Sequence, residues 1–182
     1  MKRTPPPIDA PPVPAGYAPA PKPRRPSAAI VDFAIENTRQ LRELWSGKRP
    51  GRGSLPAFRS FDLLELRPWA DNLVLYQVER QDDQQVYRFA KVGKHVAAID
   101  GGDHTGRLMH QALPPTQLWA IIGHYDAAVR TRGPVEFHDT IPSPGGGAVK
   151  WDKLLLPLSD NGGEVDHLLM LLYAERLGER SR

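Results

Sequence analysis

The last predicted strand of the chain constrains the fold most, because both of its faces are apolar. Side chains alternate between the two faces of a strand. Its residues divide as Val165, His167, Leu169, Leu171 and Tyr173 against Leu168, Met170, Leu172 and Ala174. A sheet with one face in water would show polar residues at every second position. We therefore predict a central strand whose two faces are both covered by other elements.

Four further β-rich runs complete a predicted sheet with this strand. The five runs are 73–79, 86–92, 135–141, 149–158 and 165–174. A polar turn joins the first two as a hairpin, and a helix from Pro115 to Arg132, followed by Gly133, separates them from the other three. This order predicts an α+β fold, a five-stranded antiparallel sheet with a helical crossover on one face. Pro157 conflicts with a central strand position, so we place it near a strand end or at a bulge.

A helix before the sheet is predicted to cover its second face or to form a dimer surface. Ser27 is a suitable N-cap, and no Gly or Pro follows until Gly47. Apolar side chains recur there at helical spacing. The candidate interaction residues on this helix are Ile30, Phe33, Leu41, Leu44 and Trp45.

The positive charge of the chain is confined to a proline-rich leader. The 182 residues carry a net charge of +3. Residues 1–27 hold ten of the 19 prolines and five basic side chains against one acidic, whereas the other 155 residues carry 19 basic and 20 acidic. We predict a disordered tail over 1–27, a helix over 28–46, an exposed basic linker over 47–60 and a folded domain over 61–177. The nearly neutral body argues against nucleic-acid binding by the folded domain.

Composition excludes several classes of chemistry and location. The chain has no cysteine, which excludes disulfides, thiolate metal sites and covalent flavin–cysteine adducts. No apolar run reaches the roughly 18–20 residues that span a bilayer, and no secretory signal is visible at the start. We expect a cytoplasmic protein without an integral membrane segment.

Five strings, taken in order, resemble the PAS domain, and in particular stand-alone PAS proteins of alphaproteobacteria. The resemblance covers about residues 40–175. They are Phe61-Asp62 leading to Leu66-x-Pro68-Trp69, LVLYQVE at 73–79, YRFAKVG at 87–93, GDHTGR at 102–107 and LLLPLSD at 154–160.

This resemblance implies a sensory or protein-interaction domain with a pocket between the sheet and the crossover helices. Members of that family hold haem, flavin, small metabolites or nothing, and many signal by repacking a flanking helix, often in a dimer. Other signalling proteins, or a second copy of the chain, are the partners it implies. The cofactor stays unknown, with none required by the sequence and with haem or non-covalent flavin left open. The candidate pocket residues are Phe89, Leu108, Met109, Trp119, Ile122, Tyr125 and Leu156.

The titratable residues give no convincing catalytic or metal site. We predict that His124 points away from the apolar stripe of its helix, which disfavours it as a haem ligand. Nothing places two carboxylates together in an apolar pocket, so we expect no enzyme. A cone-shaped ketosteroid-isomerase-type fold is the strongest enzyme alternative, but there most helices precede the sheet.

The sequence therefore favours a single-domain PAS sensory or regulatory protein acting through protein–protein interaction, with or without a small ligand. One alternative is a small-molecule, haem or flavin sensor. Another is an accessory protein that binds nucleic acid or a membrane surface through its basic tail.

Overall fold

A computed structural model describes residues 28–82, 84–142 and 148–177, with side chains over 34–82, 84–140 and 148–175. The predicted tail over 1–27 lies outside the described residues. Two 3₁₀ turns, Phe58–Ser60 and Arg67–Asn72, flank α2. The helices are α1 Ala28–Gly47, α2 Leu63–Leu66, α3 Lys94–Ile99, α4 Met109–Ala112 and α5 Pro115–Thr131. The strands are β1 Leu73–Gln81, β2 Gln84–Val92, β3 Val135–Pro142, β4 Ala148–Leu158 and β5 His167–Leu177.

The five strands form one antiparallel sheet in the order β2-β1-β5-β4-β3. The apolar last strand is therefore central, between β1 and β4, as its two buried faces require. Helices α3, α4 and α5 connect the β1–β2 hairpin to β3, so the predicted PAS-like α+β fold class is confirmed. None of the helices in the described part of the chain is long and apolar enough to cross a bilayer.

The two faces of the sheet are assigned by the contacts that helices make with it. Tyr125 of α5 lies against Met170 and Tyr76, and this side is called the crossover face. Arg42 of α1 pairs with Glu136 at 2.6 Å, and this side is called the α1 face. Because alternate residues share a face, strand register places the following buried side chains on the α1 face: Leu154, Leu156, Leu158, Leu169 and Leu171.

Helix α1 is anchored in the core rather than resting on the surface. Leu41 and Trp45 are fully buried in the same cluster as the sheet. The Trp45 indole Nε1–H donates to the Pro157 carbonyl oxygen at 2.9 Å. A buried indole carries a large apolar area and needs such a partner for its N–H. The bond therefore fixes the end of α1 to β4.

Pro157 lies near the end of β4, as predicted. Pairing between β3 and β4 ends at the Val135–Leu155 pair, so Pro157 lies beyond Val135, the first residue of β3. No residue of β3 pairs with Pro157, so its missing N–H costs no hydrogen bond to β3. The carbonyl oxygen is free to accept from α1.

The linker between α1 and α2 is only partly exposed, which corrects the sequence prediction. Leu55 and Pro56 are buried, and the Ser159 backbone N–H donates to the Pro56 carbonyl at 3.0 Å. The segment thus packs beside the end of β4. After it, Asp62 and Glu65 form a capping box at the start of the short helix α2.

Replacement of Trp45 by Phe should lower the free energy of unfolding by about 1–2 kcal/mol, because the Pro157 carbonyl stays buried without a donor. Urea unfolding measures this change. Trp119→Phe is the matched control, since Trp119 is 82% exposed, and it should have almost no effect. Equal effects of the two substitutions would contradict an anchoring role for the Trp45 bond.

Candidate functional site

Aromatic side chains fill the interior between the sheet and the crossover helices. The ring centroids of Tyr76 and Phe89 are 4.9 Å apart, and Tyr125 lies 5.2 Å from Tyr76 and 5.3 Å from Tyr87. The Tyr125 hydroxyl oxygen is 3.2 Å from both the Tyr76 hydroxyl and Met170 Sδ. Burial raises the pKa of Tyr76 and of Tyr125, so both phenols stay neutral. The centre of the expected pocket is thus occupied by the chain itself.

Most of the predicted pocket residues lie on this side of the sheet. Phe89, Leu108, Met109 and Tyr125 are buried there. Ile122 borders, with Met109, an open groove of about 450 Å³ beside the β1–β2 turn.

Two of the predicted pocket residues are misplaced. Trp119 is 82% exposed on the outer side of α5 and lines no interior space. Leu156 is buried, but strand alternation turns it toward the α1 face. Leu154, Leu155 and Leu156 are all apolar, so the sequence pattern alone did not show which face each residue takes.

Helix α5 is rotated relative to the sequence prediction, and this rotation explains the Trp119 and His124 errors. Its buried residues are Ile121, Tyr125 and Ala128. The expected stripe was Leu118, Ile122, Tyr125 and Val129, and of these Leu118, Ile122 and Val129 are only partly buried. His124 therefore borders the buried side instead of pointing away from it. Its ring stacks on Phe137 of β3 with centroids 3.8 Å apart and an interplanar angle of 22°.

A lysine that sequence reasoning missed is buried on the crossover face. Lys153 of β4 is only 9% exposed, and its Nζ lies 5.0 Å from the ring centroids of both Phe137 and Trp151. The rings attract the ammonium through their π faces. Burial lowers the pKa of Lys153 to about 8, against the opposing fields of Asp100 and Asp139. Its position opposite Phe137 and Leu172, on an otherwise apolar face of β4, is the signal that could have revealed it.

Polar atoms around this lysine lack partners. We call Lys153, Trp151, Phe137 and His124 the Lys153 cluster. Trp151 Nε1 and His124 Nδ1 are buried without a hydrogen bond, and within the described parts of the chain Lys153 has no carboxylate within ion-pair distance. Buried polar atoms are nearly always paired, with protein or with another molecule. The cluster is thus the candidate site on this face.

The α1 face carries a second concave surface directly behind the Lys153 cluster. Between α1 and strands β3 and β4 lies a groove of about 350 Å³, bordered by Ile35 and Arg42. Asp152 lies in it and accepts from His138 Nδ1 at 2.7 Å and from Lys150 Nζ at 2.9 Å. Residues 150–153 of β4 therefore contribute to both faces in alternation.

The residues on the crossover face do not fit a large planar cofactor or a metal ion. A haem or a flavin would need the volume that Tyr76, Phe89 and Tyr125 occupy, and His124 is stacked on Phe137. Within residues 28–82, 84–142 and 148–177, no three His, Asp or Glu side chains converge to hold a metal ion.

No protein-family model matches the chain, and no curated protein is similar to it in sequence. The solved structures that are similar in fold include the following three. A PAS domain from Colwellia psychrerythraea is 15% identical, with 65% of this chain and 100% of that chain covered and a TM-score of 0.40. A sensory box histidine kinase/response regulator from Burkholderia thailandensis is 10% identical, with 62% and 84% covered and a TM-score of 0.37. An RNA-binding light-oxygen-voltage receptor is 16% identical, with 68% and 35% covered and a TM-score of 0.40.

Replacing Lys153 by Met should raise the free energy of unfolding at pH 7 by about 1–3 kcal/mol, because a buried charge is exchanged for an apolar side chain of similar length. The gain should shrink between pH 8 and pH 10. In that range the folded protein loses the Lys153 proton while the unfolded chain keeps it, so the stability of the wild type rises relative to the variant.

Urea unfolding at each pH measures this difference. Lys91→Met, at an exposed position of β2, is the control and should follow the wild type at every pH. A Lys153→Met variant that is less stable than the wild type at pH 7 would contradict an unpaired buried charge.

Proposed function

We propose that the chain is a single-domain, PAS-like sensory or regulatory protein that acts in the cytoplasm through binding to another signalling protein. The observation that carries the proposal is the connection between the two faces of β4. On one face the strand presents the unpartnered groups of the Lys153 cluster. On the other, its Pro157 carbonyl holds α1 through Trp45.

The connection is short and runs through regular backbone. Residues 153 and 157 are four positions apart in a continuous strand, about 13 Å at the usual rise per residue. The register between β4 and β5 is unbroken over this stretch. A displacement of β4 on the crossover face therefore reaches the Trp45 bond without passing through a flexible loop.

The surface available to a partner is the outer side of α1 and the groove next to it. Leu41 and Trp45 are buried within the chain, so they cannot contact a partner while α1 is docked. The side chains of Ile30 and Phe33 lie outside the described residues. Ile35 is 60% exposed beside the groove, and charged residues of α1 surround it. This surface combines one apolar side chain with a polar rim, as partner-binding surfaces do.

Sensing of a small molecule is a second function, favoured by the unpartnered nitrogen atoms of the Lys153 cluster. The two functions are compatible, since a bound molecule on the crossover face would act on β4. Binding of a second copy of the chain at α1 is the alternative to a different protein partner.

Replacing Ile35 by Glu should abolish partner binding without affecting the fold, because Ile35 is exposed. Full-length protein is immobilised, and proteins retained from cytoplasm of its own source are quantified by mass spectrometry. Light scattering on the purified protein reports self-association. We expect retention of the partner, or self-association, to fall at least about tenfold, which is a loss of about 1.4 kcal/mol.

Leu63→Glu is the matched control, since Leu63 of α2 is also an exposed apolar residue at 70%. It should retain the same partner as the wild type. A partner that binds both variants equally would contradict the α1 surface. A wild type that retains no protein and is monomeric would contradict the proposed function itself.

A further inference from the structure

We propose that the Lys153 cluster binds a small-molecule carboxylate with an apolar body. This inference rests on the proposed sensory function and names the class of ligand that would be sensed. It adds a binding site on the crossover face at the β3–β4 side of the sheet, away from the tyrosines that fill its centre.

The hydrogen-bonding character of the cluster selects an acceptor. An indole N–H and a lysine ammonium only donate hydrogen bonds, and a histidine nitrogen donates in one of its two tautomers. Trp151 Nε1, Lys153 Nζ and His124 Nδ1 therefore offer donors to one region around Phe137. A carboxylate accepts through two oxygen atoms and donates nothing when ionised. It is complementary to these nitrogen atoms in both charge and hydrogen bonding.

The surroundings of the donors favour an apolar ligand body. The rings of Phe137 and Trp151 flank the ammonium, each with its centroid 5.0 Å from Nζ, and the His124 ring stacks on Phe137. Small-molecule sites typically combine apolar and aromatic walls with a few convergent polar groups. Strand β3 is the outermost strand of the sheet, and Trp151 and His124 are only half-buried. The cluster is thus close to the edge of the sheet.

Two acidic residues of the chain could serve as the counter-ion of Lys153 in place of a ligand. Asp100, after α3, and Asp139 of β3 both act on Lys153 electrostatically, but neither forms an ion pair with it within 4 Å in the described structure. Asp139 is exposed, so water screens its charge. Asp100 is half-buried and competes with an incoming anion. Asp100→Asn should therefore strengthen carboxylate binding, whereas the same substitution weakens the fold if Asp100 is the counter-ion of Lys153.

The probes are sodium benzoate, sodium succinate and sodium acetate, with benzamide as the neutral analogue of benzoate and inorganic phosphate as a tetrahedral anion. Calorimetric titration of the full chain at pH 7 and constant ionic strength measures binding, and the thermal midpoint Tm supports it. We expect benzoate to bind the wild type and Lys91→Met alike. Lys153→Met should bind it at least tenfold more weakly, and Asp100→Asn more tightly. Benzamide should not bind.

Several results would overturn the proposal. They are equal affinity of Lys153→Met for benzoate, equal binding of benzamide, binding of phosphate alone, and absence of saturable binding of every carboxylate up to about 10 mM. Because Lys153→Met is expected to be stable, unfolding data separate lost binding from a lost fold. Failure here leaves the Ile35-dependent partner binding untouched. If the protein binds a carboxylate but captures no partner, the result would support this site and contradict the proposed function.

Discussion

The hydrogen bond from the Trp45 indole to the Pro157 carbonyl determines how the layers of this protein fit together. It joins α1 to β4 inside the core, at a point where a proline leaves the strand without a ladder bond to β3. The bond fixes α1 to the folded unit, and the apolar side of α1 covers one face of the sheet. The other face is then left to α3, α4 and α5, and the aromatic side chains between these helices and the sheet come from β1, β2 and α5.

Because both faces of the sheet are covered, the two faces of β4 lie in different surroundings. Its alternate residues reach two different environments, a buried lysine among aromatic rings on one side and the Asp152 groove beside α1 on the other. A buried charge without a close counter-ion opposes folding. A bound anion would supply the missing counter-ion on this otherwise apolar face of the strand. The same strand would carry the effect of that anion to the Trp45 bond.

The sequence predicted the elements and the fold class better than the site. The apolar faces of β5 and the Pro115 helix start are local patterns, and each has one structural solution. The rotation of α5 about its axis could not be predicted from a local pattern. Leu118, Ile122 and Ile121 allow two rotations of the helix, and packing against the sheet selects one. Lys153 was missed because a lysine is usually exposed, and only the pairing with Phe137 and Leu172 shows that it points inward.

The central claim is that β4 couples the crossover face to α1, and the indole N–H signals of the four tryptophans test it most directly. Nitrogen-15 NMR spectra of the full chain are recorded during titration with sodium benzoate. The account predicts that the Trp151 and Trp45 indole signals shift along one binding curve, while the exposed Trp119 signal stays in place. A Trp151 signal that shifts while the Trp45 signal does not would contradict the coupling through β4.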